Sequence, residues 1–156
     1  MKAINGIKFT LLLTGLLGVS LPSFACPDMQ GSYLVEQGKT QLYVQKKGTE
    51  TYQVVLDIPT YPLMMKTATL VSEKDQKANT YQTPLPDCTL KIADFGYLIP
   101  YKNGSVYNLH FDSQDFQKVF KTDFVLKLSD TPDGVMGVNK TGSSLPAKAI
   151  DAFGKK

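Results

Sequence analysis

Tyr52, Val54, Leu56 and Ile58 recur at every second position with Gln53 and Asp57 among the residues between them, and this alternation limits what the chain can become. A period of two puts the apolar set on one face of a strand and the polar set on the other. Comparable short runs occupy 31–36, 41–45, 66–72, 88–92, 124–128 and 135–139. Between them stand Gly, Pro, Asn and Asp, the residues that break or turn a strand. Pro59 and Pro62 interrupt the chain after 51–58, because proline cannot donate to a central ladder. About eight short strands at this spacing predict an all-β domain, a small antiparallel meander barrel or a sandwich.

Asn103-Gly104 predicts a two-residue hairpin of type I′, with positive φ at both positions. In that register Tyr101 faces Val106, Leu98 faces Leu109 and Tyr97 faces His110. The stretch 112–120 is open to either a short helix or a strand. Asp130-Thr131-Pro132-Asp133-Gly134 reads as a turn into the last strand. After Ser144 the period changes. Ser144 can cap, Pro146 suits a first turn, Ile150 and Phe153 lie three apart and Gly154 follows, which predicts a short C-terminal helix. Gly31-Ser32-Tyr33, with a helix near the end, resembles lipocalin-like barrels, whose first strand carries Gly-x-Trp. The resemblance spans those three residues, with Tyr33 in the place of the tryptophan.

The first 25 residues have the three parts of a secretory signal. Lys2 and Lys8 precede an apolar stretch from Phe9 to Leu21, Pro22 ends any helix, and Ser23 and Ala25 put small residues before the cleavage point. Thirteen helical residues span roughly 20 Å, short of the ~30 Å hydrocarbon core. The expected organisation is a leader over 1–25 and a single domain over 26–156, with no transmembrane segment in the mature chain. The expected location is the periplasm or the exterior of a bacterium. Lipidation on Cys26 is the rival. A lipoprotein signal carries an aliphatic residue three places before its cysteine, where this chain has Ser23, with the bulky Phe24 following it.

Once the leader is removed, 15 lysines face 14 acids. Arginine is absent, and with it the planar fork that grips guanine and phosphate. A near-neutral domain with dispersed lysines does not match the basic footprint of a nucleic-acid binder. Cys26 and Cys88 are the two cysteines, and an oxidising compartment favours their pairing. They lack Cys-x-x-Cys spacing and have one histidine, His110, for company, so no metal set is expected.

The same histidine is the one conventional base available to a nucleophile. Ser105, Ser113, Ser143 and Ser144 fall in turns or caps, without a Gly-x-Ser-x-Gly elbow. Asp112 with Asp115, and Asp130 with Asp133, sit where turn and cap hydrogen bonds call for aspartate. No catalytic residue and no cofactor is assigned, and the protein is expected not to be an enzyme. All eight tyrosines fall after the leader, and tyrosine combines apolar area with a polar tip, which suits pockets and interfaces. The candidate contact residues are Tyr61, Met64, Tyr97, Tyr101 and His110. The expected partner is a small apolar or amphipathic ligand in the barrel or, alternatively, an envelope protein bound through a tyrosine-rich sheet face.

Overall fold

The computed structural model describes residues 26–72, 74–75, 85–111, 114–131 and 134–155, with side chains at all of these except 109–111 and 114–116. The expected leader 1–25 falls outside them. The strands are β1 (Gly31–Val35), β2 (Gln41–Lys46), β3 (Thr51–Asp57), β4 (Met64–Leu70), β5 (Leu90–Ile92), β6 (Gly96–Pro100), β7 (Val106–Phe111), β8 (Gln114–Val119), β9 (Phe124–Leu128) and β10 (Val135–Gly142). A helix, α1 (Ala147–Gly154), follows.

Eight strands close into an antiparallel barrel in the order β1-β10-β9-β6-β5-β4-β3-β2, and β7 and β8 pair only with each other. Closure joins the first strand to the last, with Tyr33 opposite Lys140 and Val35 opposite Val138. Gly31 enters that seam at φ +144°, and a Cβ there would run into the Gly142 carbonyl, so a side chain has no place at this position. Closure removes the open edges that an isolated sheet would expose. The inner faces meet in one cluster that includes Tyr33, Leu42, Val54, Leu56, Leu90, Leu98, Phe124 and Leu126. Tyr33 meets Phe124 edge to face, with centroids 5.2 Å apart. A single enclosed core, with strands running continuously around it, makes the fold a barrel and not a two-sheet sandwich.

Two outer faces are covered. Ala149 and Phe153 of α1 pack on Tyr43 of β2 and Val55 of β3. Phe120, Val125 and Val135 form a second outer cluster, joined by Tyr101 and Tyr107. Ile99 is fully buried and Lys127 is 4% exposed on the same side.

The expected hairpin at Asn103-Gly104 is corrected. Ser105 N–H donates to the Lys102 carbonyl at 2.9 Å, so the turn exists. Only Gly104 in it has positive φ, +79°, which is the type II pattern and not I′. A type II turn splays its flanking strands. Accordingly β6 pairs with β5 and β9, and Tyr97 stands opposite Lys91 and Lys127 instead of His110. The stretch left open between helix and strand is strand β8, the partner of β7. Pro132 and Asp133 of the expected turn lie outside the described residues.

At the C-terminus the helix forms but not with the expected details. Pro146 occupies the N-cap position without a side-chain cap bond, while the Ser144 carbonyl accepts the Ser32 hydroxyl at 2.7 Å. The buried pair is Ala149 and Phe153, four apart, and Ile150 is 54% exposed. Four residues bring side chains onto one helical stripe as well as three do, and the stripe here is centred on Phe153.

Candidate functional site

In an antiparallel meander, alternate connections gather at the same end. One end of this barrel therefore carries the start of the domain, the β2–β3 turn and the β4–β5 connection. The other carries the turns over 36–40, 58–63 and 93–95, the end of β9 and the start of β10. The two ends differ in construction.

The first end is stoppered. Met29 is fully buried in the inner cluster, ahead of β1. Tyr33 Oη donates to the Met29 carbonyl at 2.7 Å, and Lys140 Nζ donates to the Asp28 carbonyl at 2.6 Å. Gln30 Oε1 accepts the Lys46 N–H at 3.2 Å. A disulfide joins Cys26 to Cys88 across 62 residues and ties this plug to the β4–β5 connection.

The second end has no comparable plug among the described residues and is in that sense open, with apolar side chains along the part of its rim away from the 36–40 turn. Ile58, Met64, Phe95, Leu128 and Met136 are only partly buried and rest on the inner cluster from above. They come from five places in the chain: the β3–β4 turn, β4, the β5–β6 turn, β9 and β10. Beside them Tyr61 is 65% and Leu63 42% exposed. Tyr61 N–H donates to the Ile58 carbonyl at 3.0 Å, closing a turn in which Thr60 has φ +71°. A β-branched residue at positive φ is an outlier, and such strain concentrates where a loop is held for a purpose.

The wall is short at this end. β4 pairs with β3 along six positions, from Thr51–Thr69 to Leu56–Met64. Its ladder with β5 covers only Ala68–Leu70, extended by the Ala93 N–H to the Thr67 carbonyl at 2.9 Å. Lys66 sits in the shortened stretch, opposite Val54, whose side chain is fully buried in the core. Met64 and Ala68, two residues to either side, pack on that core, so the pleat gives Lys66 the same inward face. Met65 takes the other face, opposite Val55, which lies under α1.

The structure separates the expected contact residues. Tyr61 and Met64 stand at the open end, as rim and wall. Tyr97 is half-buried on the outer face of β6. Tyr101 packs with Tyr107 and Phe120, each centroid 6.0 Å away, and its hydroxyl is used on the Ser105 carbonyl. His110 belongs to β7, and its side chain lies outside those described. Sequence reasoning missed Lys66, which begins a run of alternating residues without declaring its side. The inward parity of Met64, Ala68 and Leu70 is the signal that could have found it.

A second concavity, about 410 Å3, lies beside α1 and is lined by Ser32, Gln41, Tyr43, Ser144, Pro146 and Lys148 among others. Its polar groups are engaged with one another. Lys148 Nζ is 2.5 Å from Asp57 Oδ2 and 5.4 Å from the Tyr43 ring centroid. Hydrogen bonding to Asp57 holds that ammonium above its usual pKa. This groove is better described as the seam that docks the helix.

Among the described residues, no group of three or more His, Cys, Asp or Glu is placed to hold a metal ion. No described helix is long and apolar enough to cross a membrane. The chain matches no family model, no curated protein and no solved structure.

Proposed function

We propose that this is an exported, non-enzymatic binding protein that holds a small apolar or amphipathic ligand at the open mouth of its barrel. The observation that carries the reading is the difference between the two ends. One is plugged by Met29 and stapled by the disulfide, and the other leaves a ring of half-buried apolar side chains beside the exposed Tyr61 and Leu63. Apolar surface left half in water gains by being covered, by about 25 cal/mol for each Å2 removed from water. The middle of the barrel is taken up by Tyr33, Leu42, Val54 and Leu98, each at 0–1% exposure. This filled interior speaks against a ligand inside the barrel, the position expected from the sequence, and the proposal puts it at the mouth instead.

Export is supported by the leader pattern over 1–25 together with a disulfide, which persists in oxidising compartments. The disulfide also speaks against lipidation at Cys26, since it engages the sulfur that a lipid thioether would need. A native mass spectrum of mature protein taken gently from its own envelope tests the proposal. A reproducible extra mass, lost on denaturation, is the expected result. A bare monomer mass from every preparation, with no uptake of added apolar ligands, overturns it.

One observation favours the alternative of a protein-interaction module. Val106 and Val119 face each other across the β7–β8 hairpin and are 50% and 54% exposed. Cross-linking in the envelope that captures one partner, and loses it with Val106→Lys and Val119→Lys, would select that reading.

A further inference from the structure

We propose that the mouth takes a single-chain amphiphile with a carboxylate head, and that Lys66 is the residue that pairs with that head. This deepens the binding reading above and rests on it. By register, three lysines share the inner parity of the barrel, and the chain treats them differently. Lys46, opposite Tyr52 at the plugged end, is exposed to solvent. Lys140, at the plugged end, is fully engaged: its Nζ donates to the Asp28 carbonyl at 2.6 Å and lies 5.8 Å from the Tyr33 ring centroid. Lys66, at the open end, makes no hydrogen bond or ion pair among the described residues, although acids on the surface pair elsewhere, Asp57 with Lys148 and Asp75 with Lys91. It is half-buried between Met64 and Ala68, on the one stretch of β4 where the β5 ladder has ended.

A strand position between two core-facing residues normally carries an apolar side chain. An amine there costs desolvation unless something negative meets it. The surroundings specify the rest of the ligand. Met64, Phe95, Leu128 and Met136 offer apolar contact around Lys66, while Lys39, in the 36–40 turn of the same end, is exposed to solvent, so the molecule that fits has an apolar chain and a single negative charge. A phosphate dianion is better served by several donors or an arginine fork, and this chain has no arginine. Because the core below is filled, the chain lies across the mouth and not down the barrel axis.

The test is titration calorimetry of the mature protein with sodium dodecanoate, kept below its micelle concentration, beside dodecanol and dodecyl phosphate. The wild-type protein, Lys66→Met, Lys66→Arg and the surface control Lys102→Met, an exposed lysine at the opposite end of the barrel, are compared, and circular dichroism confirms that each is folded. The expected result is binding of dodecanoate by wild type, K66R and K102M, with dodecanol weaker by about tenfold or more, the scale of one charge-assisted hydrogen bond. K66M should lose that preference and bind the two equally. If wild type already binds dodecanol as tightly as dodecanoate, the role of Lys66 is overturned while the mouth remains a binding site, and this comparison needs no variant to fold. Tighter binding of dodecyl phosphate overturns the choice of carboxylate. If none of the three binds, and the native protein carries no extra mass, the binding reading and this inference fall together.

Discussion

From the inner face of β1, Tyr33 reaches back four residues to hydrogen-bond the Met29 carbonyl at 2.7 Å. The ring fills the core against Phe124, and the hydroxyl fixes the segment that stoppers the barrel. Tyr33→Phe keeps the ring and leaves a buried carbonyl without its donor. The expected loss is about 1–2 kcal/mol in urea unfolding, the cost of an unsatisfied buried acceptor. No change would mean that water replaces the hydroxyl and that the plug is looser than described.

Burial, with Asp28 and Tyr52 adding to it, pushes the Tyr33 hydroxyl well above the ordinary value of 10.0. Burial raises Tyr107 as well. The folded pKa lies above the unfolded one, so the contribution is fully present below about pH 10 and is lost as pH climbs toward the folded value. Unfolding free energy should therefore fall steeply above about pH 10, and less steeply in Tyr33→Phe. Tyrosinate absorbance followed alongside circular dichroism tests this: ionisation of all tyrosines near pH 10 without unfolding would contradict it.

Cys26 and Cys88 close a loop with a separation of 62 residues. For that length the chain-entropy treatment gives about 4 kcal/mol. Reduction, or the paired Cys26→Ser and Cys88→Ser substitution, should lower stability by that order and raise hydrogen exchange first in residues 26–30 and the 85–89 connection. Unchanged unfolding with and without reductant would show that the plug holds by packing alone.

The barrel was legible because its strands follow period two, and Phe124, Leu126 and Leu128 of β9 form inward positions that can be read from the residues. Pairing was less legible. Asn103-Gly104 is a local hairpin signal, yet β6 spends both edges on β5 and β9. Which strand takes an edge is decided by the whole barrel, not by a dipeptide. The two prolines around Tyr61 mark a break in the strand, but they leave open whether the segment is exposed or tucked into the core. The 65% exposure of Tyr61 is known from the fold alone. The inward position of Lys66 was not legible either, because a lysine at a strand start looks the same on either face until its partner, Val54, is known.

Phe153 and Ile150 make the helix a sharp test of packing. Phe153 is buried against Tyr43 and Val55, while Ile150 points to solvent. Phe153→Ala should cost about 3–5 kcal/mol, whereas Ile150→Ala should stay within about 0.5 kcal/mol. Chemical denaturation of both variants decides it. Equal losses would place α1 in a different rotation on the barrel.

Asp75 lies in the β4–β5 connection, where Lys91 Nζ donates to its carboxylate at 2.8 Å and the Ser72 N–H and hydroxyl donate at 3.0 and 2.9 Å. Lys91 first, and Ser72 second, hold the Asp75 pKa down to about 2. A lowered carboxyl stabilises the folded state above the unfolded value of 3.8, and that share is lost as pH falls through about 2. Because the two side chains are 44% and 24% exposed, solvent screens the pair, and its share of stability should stay below about 1 kcal/mol. Lys91→Ala should move the carboxyl upward but not fully back to 3.8, since both Ser72 bonds remain. Carbon-detected NMR titration of the Asp75 carboxyl reads this directly. An unshifted midpoint in the variant would assign the effect to Ser72 alone, leaving Lys91 without a part in anchoring the connection that carries Cys88.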